Sequence, residues 1–144
     1  MGTTLVTDLP GGAGMAATVI ASVTSMASNA GITSYQPVCR CKNAGSVLSV
    51  FFIPSASQAG SATDYRTMTL VNLGSVAGGT TVVASYTALS AAAGSIAANT
   101  AGAFTMTTTA ANYTVAAGDV LAYNTTSAGN GIATVAGKLQ IDFC

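Results

Sequence analysis

The chain has 144 residues, enough for one domain with a core of its own. Only 6% of them are charged, against roughly 25% in an average soluble domain, and the formal net charge is zero. Four Lys and Arg balanced by four Asp exclude a basic footprint for nucleic acid, and no run of about 18 apolar residues marks a membrane-spanning helix.

The first 45 residues are rich in Gly, Ala, Ser and Thr and read as an N-terminal arm with one or two strands. Pro10-Gly11-Gly12 breaks the chain early. Ala16 to Met26 mixes β-branched and small residues, and suits a strand or a short helix. Ala16 to Ala30 is the nearest approach to a secretory core, but Ser22, Thr24, Ser25, Ser28 and Asn29 interrupt it and no Lys or Arg precedes it. No export signal is read, so the protein is expected to form in the cytoplasm where it is made. Asn29 to Pro37 is turn-like.

Residues 46–144 read as a β-sandwich domain. Val47 to Ile53 is a nearly continuous apolar run ended by Pro54, as in a buried strand. In Arg66 to Leu73, Met68 and Leu70 alternate with Thr67, Thr69 and Val71. Thr80 to Thr87 repeats the habit, with Val82, Ala84 and Tyr86 on one face. Gly78-Gly79 supplies positive-φ residues for a hairpin between these runs. Ala88 to Asn99 is Ala-rich and reads equally as helix or loop. Phe104 to Thr108 and Tyr113 to Val115 are short strand candidates.

Ala117-Gly118-Asp119 forms a turn before Asp119 to Thr126, where Val120, Ala122 and Asn124 oppose Leu121, Tyr123 and Thr125. Gly129-Asn130-Gly131 is a second tight turn. In Lys138 to Phe143, Leu139, Ile141 and Phe143 point inward, while Lys138, Gln140 and Asp142 point out. Closely spaced strands with turns between them predict an all-β fold, a β-sandwich or barrel with an extended N-terminal segment.

The residue inventory argues against an enzyme. There is no His, the commonest general base, and no Glu. Asp64 precedes a strand, Asp119 sits in a turn and Asp142 faces out from a strand, so none needs a catalytic explanation. Gly11-Gly12-Ala13-Gly14 lacks the Gly-Lys-Ser/Thr of a phosphate-binding loop. The three cysteines, Cys39, Cys41 and Cys144, lack the C-x-x-C spacing and the partners of a zinc site. They read either as three unpaired thiols or as a disulfide from Cys144 to Cys39 or Cys41, within or between subunits. Neither a cofactor nor a metal is expected. Asn112-Tyr113-Thr114 and Asn124-Thr125-Thr126 match the glycosylation pattern by the chance a Thr-rich chain provides.

The segment from Ser61 to Phe143 resembles small head-decoration (cement) and virion structural proteins of tailed phages. The residues that carry the resemblance are Ala62-Thr63-Asp64-Tyr65-Arg66-Thr67-Met68-Thr69-Leu70-Val71-Asn72 and Gly78-Gly79-Thr80-Thr81-Val82-Val83-Ala84-Ser85. Thr114-Val115-Ala116-Ala117-Gly118-Asp119-Val120-Leu121 and Gly129-Asn130-Gly131-Ile132-Ala133 follow. They cover a little over half the chain and are patterns of strands and turns. Residues 1–60 carry no part of it.

The resemblance implies a jelly-roll-like fold and a capsid decoration protein on the outer surface of a bacteriophage virion. Many copies, often homotrimers, would be clamped on the major capsid protein to stabilise contacts between capsomers. In that setting Leu5, Val6, Asp8, Leu9 and Pro10 are the candidates for capsid contact. The main alternative is a receptor-binding or adhesin-type β-module of a fibre or tail tip. A filament or shell subunit is a further alternative.

Overall fold

The structure, a computed structural model, describes residues 5–6, 17–28, 34–87 and 94–144. Its strands in chain order are β1 (Leu5–Val6), β2 (Ala17–Val23), β3 (Ser34–Arg40), β4 (Gly45–Pro54), β5 (Arg66–Asn72), β6 (Thr81–Thr87), β7 (Gly102–Ala103), β8 (Thr105–Met106), β9 (Thr114–Val115), β10 (Val120–Ser127) and β11 (Gly137–Phe143). A single helical turn, α1 (Ala110–Tyr113), precedes β9.

The strands form two antiparallel sheets. One has the order β1-β2-β11-β4-β7, with β9 also on β4; the other has the order β3-β10-β5-β6-β8. Treat β7 and β8 as one strand that changes sheets at Phe104, and set aside the short β1 and β9. Eight strands remain, and the first pairs with the last: β2 with β11, β3 with β10, β4 with β7, β5 with β6. This is a long hairpin rolled up on itself, the jelly-roll arrangement, which leaves few open edges. The sandwich draws two of its long strands, β2 and β3, from residues 1–45.

Alternation builds the core. Val19, Ala21 and Val23 of β2, Leu139 and Ile141 of β11, and Val47, Val50 and Phe52 of β4 are buried from one sheet. Met68, Leu70, Val83, Ala84, Leu121 and Tyr123 meet them from the other. Phe52 stacks on Tyr123 across the gap, with ring centroids 6.4 Å apart. Leu139 and Ile141 face inward as the pattern of β11 predicts; Phe143 is half-buried at the core's margin.

Several local expectations are corrected. Pro37, expected in a turn, lies inside β3; β3 is a sheet edge, where a missing N–H costs no ladder bond. The β4 run is not buried on both faces: Phe51 and Ile53 are half-exposed and Leu48 is exposed, at a bulge where Ser49 and Val47 pair with consecutive residues of β11. In β6, Val82 is exposed and Val83 is buried beside Ala84, because a bulge opposite Leu70 and Val71 breaks the alternation.

The β5–β6 connection has its positive φ at Gly74 and Ala77, not at Gly78-Gly79. Gly79 is needed for a different reason, since a Cβ there would lie 2.9 Å from the Asn72 carbonyl oxygen. Gly118, Gly129 and Gly131 do take positive φ in the turns expected of them. Of Ala88 to Asn99, residues 88–93 lie outside the described residues; 94–99 are turn and bridge, with Ile96 paired to Gln58.

Candidate interaction surfaces

The two outer faces of the sandwich differ in chemistry. On the five-stranded sheet the outward side chains form four rows, fixed by register. Tyr35, Asn124, Thr69, Ser85 and Thr105 cross all five strands. Pro37, Ala122, Val71 and Val82 form a second row, Thr126, Thr67 and Thr87 a third, and Arg40 and Val120 a short fourth. Of these residues only Arg40, exposed on the edge strand β3, is charged. The centre is closed: Ala122, Val71, Asn124 and Thr69 are buried, while Tyr35 and Val82 at the rim are 45% and 42% exposed. Asn124 Oδ1 is buried with no hydrogen-bond partner among the described residues.

The outer face of the six-stranded sheet also has three rows, centred on β11. Thr18, Asp142 and Ser49 form the first; Ile20, Gln140 and Phe51 the second; Ser22, Lys138 and Ile53 the third. Thr18 Oγ1 and Ser49 Oγ donate to Asp142 at 2.7 and 2.6 Å, and Gln140 Nε2 adds a contact at 3.2 Å. Partial burial alone would raise the Asp142 pKa, but these donors together hold it below the usual carboxylate value. Lys138 Nζ donates to Ser22 Oγ at 2.6 Å. β1 extends this sheet on one side, with Leu5 opposite Ile20 and Val6 opposite Val19. The other capsid-contact candidates, Asp8, Leu9 and Pro10, lie outside the described residues, as does the Gly11 to Gly14 stretch.

One end of the sandwich is organised by buried polar side chains. Arg66 is fully buried; its Nε donates to the Ile132 carbonyl and its Nη2 to the Ala27 carbonyl. Gln58, 1% exposed, accepts from the Val135 N–H and donates to the Ala59 and Ala133 carbonyls. Asp64 Oδ1 accepts from the Asn130 N–H. These bonds hold the loop before β11 against the loop before β5.

At the opposite end, Asp119 Oδ2 accepts from Asn72 Nδ2 at 2.8 Å and from the Ala116 N–H at 2.9 Å, which lowers its pKa. Asn72 Oδ1 accepts from the Gly74 N–H in turn. The loop so anchored presents Val76, 88% exposed, beside Ala77 in the left-handed region. Cys39 and Cys41 lie next to this corner, and all three cysteines are free thiols. The Cys39 thiol hydrogen-bonds to Cys41, which pushes Cys39 up and Cys41 down; burial opposes the fall at Cys41. The carboxyl terminus is tied by main-chain bonds between Cys144 and Ser46.

Asp64, Asp119 and Asp142 therefore sit where the sequence places them: before a strand, in a turn, and on an outward face. No group of three or more His, Cys, Asp or Glu converges among the described residues. Sequence reasoning missed Arg66 and Gln58 as structural centres. Arg66 had a readable signal, because it is in phase with Met68 and Leu70 and so must point the same way. Compared with known proteins, the chain matches no family model, no curated protein and no solved structure.

Proposed function

We propose that the chain is a structural virion protein, a decoration protein that binds the outer surface of a tailed-phage capsid and stabilises contacts between capsomers. In this reading it assembles as a homotrimer, touches the major capsid protein, and is made in the host cytoplasm. The observation that carries the reading is the outer face of the five-stranded sheet, which has one row of uncharged side chains across all five strands, its only charge, Arg40, at the β3 edge, and an open rim at Tyr35 and Val82. Interface centres are depleted in charge, and a face with so little charge lets identical subunits meet with little repulsion. The jelly-roll order adds support by analogy of fold, and the resemblance between Ser61 and Phe143 supports the virion setting. Each capsid contact can be weak, because a trimer engages several at once.

The exposed Val76 tip favours a second reading, a receptor-binding module of a fibre or tail tip. Binding assays separate the two. Deleting residues 1–14 should leave thermal unfolding close to that of the full chain and lower occupancy on undecorated shells. Loss of folding would make the segment part of the core; unchanged occupancy would remove it from the capsid contact. A full chain that ignores shells but binds host cells, and loses that binding in Val76→Ser, would replace the capsid reading with the second one.

A further inference from the structure

The outer face of the six-stranded sheet has a symmetry the capsid reading does not use. β11 runs down its middle, with β1 and β2 on one side and β4 and β7 on the other. Gln140 sits at the centre of the outward pattern, with Lys138 on one side along the strand and Asp142 on the other. Ile20 and Phe51 flank Gln140 in the same row, the first 39% exposed and the second half-buried. We propose that this face pairs with the same face of a second copy of the chain, about a two-fold axis above Gln140 and perpendicular to β11.

The charges choose that axis. An axis parallel to β11 would set Lys138 on Lys138 and Asp142 on Asp142. The perpendicular axis reverses the strand direction, so Lys138 of each copy meets Asp142 of the other. It also keeps β2 over β2 and β4 over β4. Ile20 then meets Ile20, Phe51 meets Phe51, and Ser22 and Ile53 fall over Thr18 and Ser49 of the second copy. Apolar rows coincide and opposite charges coincide, which is what an isologous contact requires. The natural twist of each sheet sets the two β11 strands about 30° from antiparallel.

The charged groups are prepared for such a contact. Thr18 and Ser49 orient the Asp142 carboxylate and keep it ionised, and Ser22 steadies the Lys138 ammonium. Nine central positions are fewer than the roughly 20–30 residues a side of a standard interface, so one pairing alone is of modest affinity. It strengthens where copies are already held together, and it leaves the five-stranded face free. A cyclic trimer formed elsewhere on the molecule would thus be joined to its neighbours at two-folds. The pairing does not depend on whether the shell is a capsid.

A zero-length carbodiimide links an amine to a carboxylate only when they touch. Within one chain Lys138 and Asp142 are about 13 Å apart along the strand, at four residues of rise, so a link between them must join two copies. A mixture of isotopically heavy and light full-length protein is treated and mapped by mass spectrometry. The expected result is a Lys138–Asp142 crosslink that includes heavy–light pairs. Lys138→Asp, at an exposed position, should leave thermal unfolding near the parent's and weaken association about tenfold or more at low salt. The exchange Lys138→Asp with Asp142→Lys should recover it. Absence of the heavy–light crosslink, or a Lys138→Asp variant that associates as well as the parent, overturns the proposal. Shell binding that protects Lys138 while no heavy–light crosslink forms assigns the face to another protein and overturns it as well.

Discussion

The outer face of the six-stranded sheet carries Lys138 and Asp142 in satisfied, partly open positions on its central strand, whereas that of the five-stranded sheet keeps its one charge, Arg40, at the β3 edge and is buried at its centre. The two faces come from strands of similar length and from one chain with eight charges. The difference lies in what each position can tolerate. A charge at Gln140 would sit between Ile20 and Phe51, partly open to solvent and two residues from both Lys138 and Asp142. A charge at Asn124 would sit among Ala122, Val71 and Thr69, where an amide oxygen already lacks a partner among the described residues.

The largest expected effect follows from that contrast. Asn124→Asp should destabilise the fold by about 3–5 kcal/mol near pH 7, the range for an uncompensated buried charge. Burial raises the new carboxyl's pKa in the folded state. The protein should therefore be least perturbed in acid, and the loss should grow as pH rises above the unfolded value of about 3.9. Gln140→Glu on the other face should cost within about 1 kcal/mol, mostly through its neighbour Asp142. Denaturant unfolding of both variants checks this. Equal losses would erase the distinction between the faces.

Next in size is the contrast between the two sides of β11 itself. Ile141→Ala should cost about 2–5 kcal/mol, a large-to-small change at a fully buried site. Lys138→Ala should cost within about 0.5 kcal/mol. A reversed order would mean that the strand is out of register by one residue.

Much of this was legible in the sequence, and the limits were physical. β11 alternates without interruption, so its inward and outward sets could be read directly. β6 could not be read that way, because the bulge at Val83 shifts the phase, and nothing in Val82-Val83-Ala84 marks which residue is extra. Leu48 is the same case in β4. β3 was hidden by Pro37, which signals a turn unless the strand is known to be an edge. The neutral row across the five-stranded sheet was invisible for another reason. Register across five strands, not any local pattern, assembles Tyr35, Asn124, Thr69, Ser85 and Thr105 into one row.

The smallest expected effect sharpens the charged face. The folded state holds the Asp142 pKa below its unfolded value, so its ionised form contributes stability above that value. That contribution is lost as pH falls through the folded pKa. Asp142→Asn should lower stability by less than about 1 kcal/mol at pH 7, because the site is partly open to solvent screening. The gap from the parent should close in acid. A gap that stays constant down to pH 2 would mean the carboxylate's charge contributes nothing.

The central claim is that this chain works by associating with other subunits, and its mass in solution tests that most directly. Light scattering on the purified full-length protein at micromolar concentration should give a homo-oligomer, with a trimer at about three times the 14.0 kDa of one chain. A monomer across that concentration range would contradict self-assembly in solution.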